Sequence, residues 1–122
     1  MVVTTEKQTA YQKALLIASG PAMLERMVRP LKDAGLSVNV CEHFIDAKGL
    51  FEQQALIVLP IKDDDQEDAK AFIDWIRKRA SAYILGVGRC DEGQRQGLVA
   101  KMGLNDLITM PFDESEVQER LA

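Results

Sequence analysis

Few side chains in this sequence have the type and spacing that chemistry requires. The one histidine, His43, follows Cys41 and Glu42, and the second cysteine, Cys90, lies far along the chain. Neither cysteine belongs to a CxxC motif and no HExxH motif occurs, so a metal site is not expected. We expect two reduced thiols, as is usual in the cytoplasm, and a solvated histidine at the end of a strand.

Phosphate binding by a glycine-rich loop has little support. Ser19-Gly20-Pro21 offers one glycine and a proline without an N–H donor, and Gly86-Val87-Gly88 begins like GxGxxG but has Asp91 where the third glycine belongs. There is no GxSxG motif, and no histidine can be assigned to Ser19 as a base. These loops predict ordinary turns, and neither an enzyme nor a bound cofactor is expected.

Two arginines and a tyrosine are the candidates for contact with a small ligand. Arg89 and Arg95 follow an apolar stretch, and guanidinium groups pair well with phosphates. The ring of Tyr83 could stack on a ligand if it faces outward. The alternative, which the sequence favours for the two arginines, is ordinary solvent-exposed charge.

The elements that must position these groups belong to one domain. The chain has 122 residues, of which 47% are hydrophobic and 28% charged, which is typical of a soluble globular domain. A net charge of −4 argues against a nucleic-acid-binding surface. The longest apolar runs are too short to span a membrane, and there is no signal peptide. We expect residues 1–12 to be a flexible tail and residues 13–122 to form a cytoplasmic domain.

Strands and helices alternate along the chain. Apolar runs predict strands at Ala14–Ala18, Ser37–Cys41, Ala55–Leu59, Tyr83–Val87 and Asp106–Met110. Amphipathic stretches predict helices at Pro21–Ala34, around Asp46–Glu52, up to about Arg79, at Asp91–Met102 and at Glu114–Ala122. We expect Pro30 to kink or shorten the first helix, Gly35 and Gly103 to end helices, and Asp63-Asp64-Asp65 and Asp91 to cap them.

This alternation predicts βαβ units, and therefore a parallel sheet with helices on both faces. Five such units fit an α/β fold, the flavodoxin-like doubly wound sheet of five parallel strands in the order 2-1-3-4-5. In such sheets ligands bind where the carboxyl ends of the strands meet. The loops at residues 19–21, 60–65, 88–91 and 110–113 are therefore the candidate site.

The second half of the chain resembles a known family. Val87–Arg95 and Met102–Asp113, which ends in Met110-Pro111-Phe112-Asp113, are similar to the C-terminal half of bacterial response-regulator receiver domains. The family has a Thr/Ser-Ala, an acid-capped helix, an Ala-Gly-Ala-x-Asp turn and a Lys-Pro-Phe-Asp ending there. The similarity extends over residues 13–122 and implies a receiver domain of two-component signalling.

The resemblance also implies a site. Receiver domains hold Mg²⁺ with an acidic pair after strand one and accept a phosphoryl group on an aspartate that ends strand three. A Thr/Ser after strand four and a lysine after strand five contact the phosphoryl oxygens, because positive and polar groups stabilise the transferred charge. This sequence departs at each position, with Ala18 and Ser19 at the pair, Pro60 at the acceptor, Val87 at the Thr/Ser, Met110 at the lysine and Leu107 at the aromatic switch.

These departures imply a pseudo-receiver whose pocket is filled or dry. We expect Asp63-Asp64-Asp65 to cap a helix rather than to accept a phosphoryl group. A module of this kind would act through protein contacts, by dimerisation or by control of an attached output or kinase domain. The short last helix predicts a fragment of a longer signalling protein. The family's usual interaction face carries Arg95, Lys101, Asp106, Glu116 and Arg120 here.

A second function remains open at this stage. Some pseudo-receivers bind nucleotide second messengers such as cyclic dinucleotides. Arg89, Arg95 and Tyr83 would be the ligand contacts in that case.

Overall fold

A computed structural model describes residues 13–18, 20–52, 54–62, 66–110, 112 and 114–121, with the backbone alone for Ala22, Glu92 and Leu121. The described strands are β1 (Lys13–Ile17), β2 (Ser37–Cys41), β3 (Leu56–Ile61), β4 (Tyr83–Gly88) and β5 (Asp106–Thr109). The described helices are α1 (Pro21–Asp33), α2 (Phe44–Ala47), α3 (Gln66–Arg77), α4 (Glu92–Met102) and α5 (Glu114–Leu121). The predicted tail at residues 1–12 and the predicted cap at Asp63–Asp65 lie outside the described residues.

The five strands form one parallel sheet in the order β2-β1-β3-β4-β5. This confirms the predicted fold class and strand order. All six residues of β3 are buried, which is why its sequence is apolar throughout rather than alternating. Because the strands are parallel, the carboxyl ends of β1, β3, β4 and β5 lie together at one end of the sheet.

Each face of the sheet has its own hydrophobic core. On one face, Leu15 and Ile57 pack with Phe72 and Ile73 of α3. On the other face, Leu16 packs with a second cluster that includes Met23, Met27, Leu31, Val58, Leu85 and Val117. Because successive residues of a strand point to opposite faces, every interior strand contributes to both cores, and α1 and α5 lie opposite α3 and α4.

Pro30 lies inside α1 and does not end it, so of the two predicted effects, a kink or an early end, the early end is wrong. The helix continues to Asp33, and the Pro30 carbonyl accepts a hydrogen bond of 3.0 Å from the N–H of Ala34. Met27 and Leu31, on either side of Pro30, are fully buried against the sheet. We attribute the continuity of the helix to this burial, which outweighs one missing N–H donor.

The second helix is shorter and earlier than the predicted segment around residues 46–52. It spans Phe44–Ala47 because the ring of Phe44 stacks on Phe72 at 5.1 Å and Ala47 is fully buried. After Ala47 the N–H groups of Gly49 and Leu50 bond three residues back, which makes turns rather than a continued helix.

The other helix ends follow the expected residues with two differences. Gly35 and Gly103 have φ of 87° and 78°, the left-handed conformation that ends a helix without strain in glycine. Asp91 occupies the N-cap position of α4, but its side chain makes no capping hydrogen bond. The third helix ends at Arg77, two residues before the predicted end at Arg79.

Candidate functional site

The four described residues of the predicted degenerate pocket lie at the carboxyl ends of their strands. Ala18 follows β1, and its N–H donates to the Cys41 carbonyl at 3.0 Å. Pro60 of β3 is in register with Val87 of β4, and both are buried. Met110 follows β5, half-buried, and its N–H donates to the Gly88 carbonyl at 2.8 Å. Ser19 lies outside the described residues.

Pro60 lies inside β3, although the sequence predicted that this strand would end at Leu59. A proline within a central strand removes one donor from the hydrogen-bond ladder. The pairing of β1 with β3 ends at Leu16 opposite Val58, before Pro60 is reached, whereas the pairing of β3 with β4 continues to Ile61. The Ala55 carbonyl accepts from the N–H of Tyr83 on β4, so by alternation Pro60 directs its backbone toward β1, beyond the end of that pairing. The missing N–H therefore disrupts neither ladder, and the pyrrolidine ring adds only carbon atoms to this strand end.

The residues beside this position are also apolar and tightly packed. A Cβ on Gly88 would lie 2.6 Å from the Ile61 carbonyl oxygen, so β3 and β4 are in direct backbone contact here. Leu107, which the resemblance places at the aromatic switch position, is fully buried, and its Cδ1 would lie 3.1 Å from a Cβ on Gly86. A side chain held in this way cannot alternate between buried and exposed positions as a switch residue must.

An open cleft remains beside these residues, so of the two expected outcomes, a filled or a dry pocket, the filled one is wrong at the β1–β3 end of the sheet. The cleft has a volume of about 640 Å³ and includes Ala18 and Pro60 in its lining. Its charged groups, Glu42, Lys62 and Asp68, come from positions outside the predicted pocket.

The described residues do not fit Mg²⁺, the metal that receiver domains hold. Magnesium requires hard oxygen ligands in a compact set. Ala18 and Pro60 carry no side-chain oxygen, and the part of the chain that the structure describes contains no group of three or more His, Cys, Asp or Glu residues able to hold a metal ion.

Three residues of the predicted interaction face bind one another instead of facing solvent. Asp106 at the start of β5 accepts from Nη2 of Arg95 at 2.6 Å and from Nη1 of Arg120 at 3.2 Å. The Asp106 side chain is 19% exposed and that of Arg95 is 13% exposed. Arg95 lies on α4 and Arg120 on α5, so the carboxylate links both helices to the strand. We call this cluster the Asp106 clasp.

The remaining two residues of that predicted face are not part of the clasp. Lys101 is exposed on α4, and Glu116 is half-buried on α5. The predicted face therefore divides into the Asp106 clasp, an exposed Lys101 and a half-buried Glu116.

The predicted ligand contacts are not brought together, which corrects that hypothesis. Tyr83 begins β4 and is 43% exposed, whereas Arg89 follows the other end of the same strand. A strand of this length separates its ends by about 20 Å. Arg95 is held by Asp106 and also donates from Nε to the Leu107 carbonyl at 2.8 Å. The sequence gives the positions of these three residues along the chain. It does not show that Arg95 is already bound by Asp106.

The cysteines and the histidine behave as predicted. Cys41 and Cys90 are both thiols outside any disulfide, and the His43 side chain is largely exposed after β2. Burial, and to a smaller extent the nearby carboxylate of Asp46, raises the pKa of the Cys41 thiol. A thiol with a raised pKa is a weak nucleophile at neutral pH, which does not favour a catalytic role.

Sequence reasoning missed a second polar cluster at the opposite end of the sheet. Arg77, at the end of α3, donates to the carbonyls of Ala82 and Gly103 and, at 2.6 Å, to Oδ1 of Asn105. The same Asn105 oxygen accepts from the buried N–H of Ile84 at 2.8 Å. The available signal was an asparagine two residues after a helix-ending glycine, which is too common in turns to identify such a link.

No family model matches this sequence, and no curated protein matches it. Its fold is nevertheless similar to solved structures of receiver domains. Among the described residues, no helix has the length and apolarity needed to cross a bilayer.

Three of the similar structures illustrate the likeness. A CheY-like protein, TadZ, from Pseudomonas aeruginosa superposes with a TM-score of 0.75 at 16% identity, covering 90% of this chain and 96% of its own. The orphan response regulator HP1043 of H. pylori superposes with a TM-score of 0.73 at 18% identity, covering 92% of this chain and 94% of its own. The receiver domain of the TMAO respiratory regulator TorR superposes with a TM-score of 0.71 at 22% identity, covering 90% of this chain and 92% of its own. The chain therefore has the fold of response-regulator receiver domains.

Proposed function

We propose that this chain is a regulatory module that keeps the receiver fold and does not take part in phosphoryl transfer. The observation that carries the proposal is Pro60, in register with Val87 at the strand ends where a receiver has its acceptor aspartate and its Thr/Ser. A pyrrolidine ring has no oxygen that could accept a phosphoryl group.

The neighbouring positions support the same conclusion. Phosphoryl transfer requires cations close to the oxygens of the transferred group, because charge builds up on those oxygens in the transition state. Met110 offers a thioether where a receiver has an ammonium group, and Ala18 offers a methyl group where a receiver has a metal-binding carboxylate. Leu107, buried against Gly86, provides no aromatic side chain to report the state of the pocket.

A module without a chemical switch must act through its surface. We therefore propose that it acts in the cytoplasm of a bacterium by contacts with protein, either a second copy or an output or kinase domain of its own polypeptide. Neither DNA nor a membrane is proposed as a partner, and no catalytic activity is proposed.

Treatment with acetyl phosphate and Mg²⁺ tests the proposal. Intact mass spectrometry is expected to show no added phosphoryl group, while an active receiver domain treated in parallel gains one. The same sample is digested and its peptides are mapped. A phosphoryl group on Asp63, Asp64 or Asp65 would overturn the proposal, and the Asp→Asn variants at these positions would identify the acceptor.

A further inference from the structure

The two edges of the sheet differ in how their backbone groups are satisfied. At the β5 edge, Met110 N–H bonds inward to β4, so the alternate residue Leu107 directs its backbone outward. Its N–H donates to Oδ1 of Asp106 at 2.8 Å, and its carbonyl accepts from Nε of Arg95 at 2.8 Å. Side chains of the domain thus satisfy both outward backbone groups of Leu107.

The β2 edge has no comparable protection. Its sequence, Ser-Val-Asn-Val-Cys, contains no charged residue, proline or glycine, the residues that usually blunt an exposed edge strand. Val40 is 45% exposed, and Ser37 and Asn39 are exposed as well. An open and uncharged edge strand of this kind is a template for pairing with another strand.

The direction of the backbone identifies the groups that are available for pairing. The carbonyl of Cys41 accepts from the N–H of Ala18, so Cys41 directs its polar groups toward β1. Because these directions alternate along a strand, Val38 and Val40 direct their N–H and C=O groups away from the sheet. Among the described residues, no side chain bonds to the backbone of either valine.

We propose that β2 pairs antiparallel with β2 of a second copy of this chain, with Asn39 on the two-fold axis. This inference rests on the proposed function, in which the chain acts through protein contacts, and it names the surface and the partner. In this register Val38 lies opposite Val40 of the second copy. Both residues direct their backbone groups outward, so each such pair exchanges two N–H···O bonds.

The side chains agree with this register. Val38 and Val40 lie on the α1 side of the sheet, placed symmetrically about Asn39, so the pairing brings valine against valine twice, a favourable cross-strand contact. Only a two-fold arrangement of identical strands makes both pairs equivalent.

The surroundings of β2 favour the same occupant. A groove of about 600 Å³ runs between β2 and α1, with Leu24, Val28 and Val40 as its apolar part. Its rim carries charges of both signs, Glu25, Arg29, Lys32 and Asp33. The signs along α1 run minus, plus, plus, minus, so the rim carries no net charge and does not repel a second copy as a rim of one sign would. An acidic or a basic partner would match only half of the rim.

Sedimentation velocity on the 122-residue chain, over a range of concentrations, tests the proposal. The wild type is expected to show a dimer that increases with concentration. Val40→Lys should weaken dimerisation by roughly tenfold or more, because it places two ammonium groups beside the pairing register. Ile45→Lys is the matched control, since Ile45 is 75% exposed but lies on α2 outside the edge, and its dimer should be unchanged.

Cross-linking tests the register itself. In a Cys41→Ser, Cys90→Ser background, Asn39→Cys places two thiols on the axis, where the Cα atoms of a non-hydrogen-bonded pair are about 4.5 Å apart and can form a disulfide. Ser37→Cys is the control, because its two copies would be about 13 Å apart. Oxidation should give a covalent dimer for Asn39→Cys alone.

Three results would overturn the inference. They are a wild type that stays monomeric at every concentration, a dimer equally sensitive to Val40→Lys and Ile45→Lys, and a dimer lost on Arg120→Glu but kept in Val40→Lys, which would place the contact at the clasp. None of these results alters the acetyl phosphate experiment, so the two proposals fail separately.

Discussion

At the scale of single residues, a proline faces a valine where strand ends meet in a receiver fold. Pro60 and Val87 are buried neighbours, and neither side chain can hold a metal ion, donate a proton or carry a phosphoryl group. The sequence predicts that both residues lie where strands end, because apolar runs precede them, and the structure places them in register there. Their match to a receiver's acceptor and Thr/Ser positions is part of the proposal. The cleft beside them lies partly in the loops that the sequence marked as the candidate site, at residues 20, 21, 60 and 62. The contribution of Glu42, His43 and Asp68 could not be foreseen, because it depends on how separate segments pack.

The reactivity of Cys41 measures how burial changes the pKa of its thiol. Its pKa is raised by burial and by Asp46, so its alkylation by iodoacetamide should be slower at pH 8 than that of free N-acetylcysteine. Replacement of Asp46 by asparagine removes a negative neighbour and should lower the pKa and speed the reaction. Mass spectrometry of quenched samples gives the rates, and a wild-type rate equal to that of the free thiol would contradict the assignment.

The same raised pKa has a consequence for stability. An unfolded cysteine loses its proton near pH 8.5, while the folded Cys41 retains its proton to higher pH. The native state then binds more protons than the unfolded state, so this group's contribution to stability is complete below about pH 8 and decreases as the pH rises. Urea denaturation gives the free energy of unfolding at pH 7 and at pH 9.5. The decrease between these two pH values should be smaller in Cys41→Ser than in the wild type.

At the scale of elements, the Asp106 clasp joins α4, β5 and α5. We expect Asp106→Ala to lower the free energy of unfolding by about 1–3 kcal/mol, because it leaves two guanidinium groups together in a largely buried setting. The matched control is Asp74→Ala, which removes an exposed pair with Lys70 on α3 and should cost about 0.5 kcal/mol or less. Chemical denaturation followed by circular dichroism measures both, and equal losses would show that the clasp does not hold these elements together.

The Arg77 and Asn105 cluster joins α3 to the turn before β5. Asn105→Ala removes the acceptor of the buried Ile84 N–H and is expected to cost about 1–3 kcal/mol. Gln94→Ala, on the exposed surface of α4, serves as a control with no expected loss. Hydrogen exchange should show the Ile84 amide losing protection in the variant, and unchanged protection there would refute the role given to Asn105.

Helices and strands were predictable wherever the spacing of apolar residues along the sequence identifies the element. All five strands and the order of the sheet follow from short buried runs separated by amphipathic segments. The errors have physical causes that lie outside the local sequence. The helix α1 continues through Pro30 because distant strands bury Met27 and Leu31, and α2 begins early because Phe44 stacks on a ring of another helix. Long-range side-chain pairs such as Arg95 with Asp106 leave no periodic pattern to detect.

At the scale of the whole molecule, the two edges of the sheet differ: side chains bond the outward backbone of Leu107 on β5, and no described side chain does so on β2. The clasp satisfies the outward backbone of Leu107, whereas Val38 and Val40 have outward backbone groups without a side-chain partner among the described residues. A receiver fold without chemistry at its strand ends would then have a constant surface, and its regulation would come from what binds to that surface rather than from a change within the domain.

Beryllofluoride with Mg²⁺ is the most direct probe of whether the strand ends respond to a phosphoryl mimic. In ¹⁵N-labelled protein, the amide signals of Val87, Leu107 and Met110 are expected to remain in place on addition of both reagents, because no described residue at these positions can hold the metal or the beryllium. Shifts of these three signals that saturate with beryllofluoride, and that require Mg²⁺, would show that the fold has kept a working phosphorylation site.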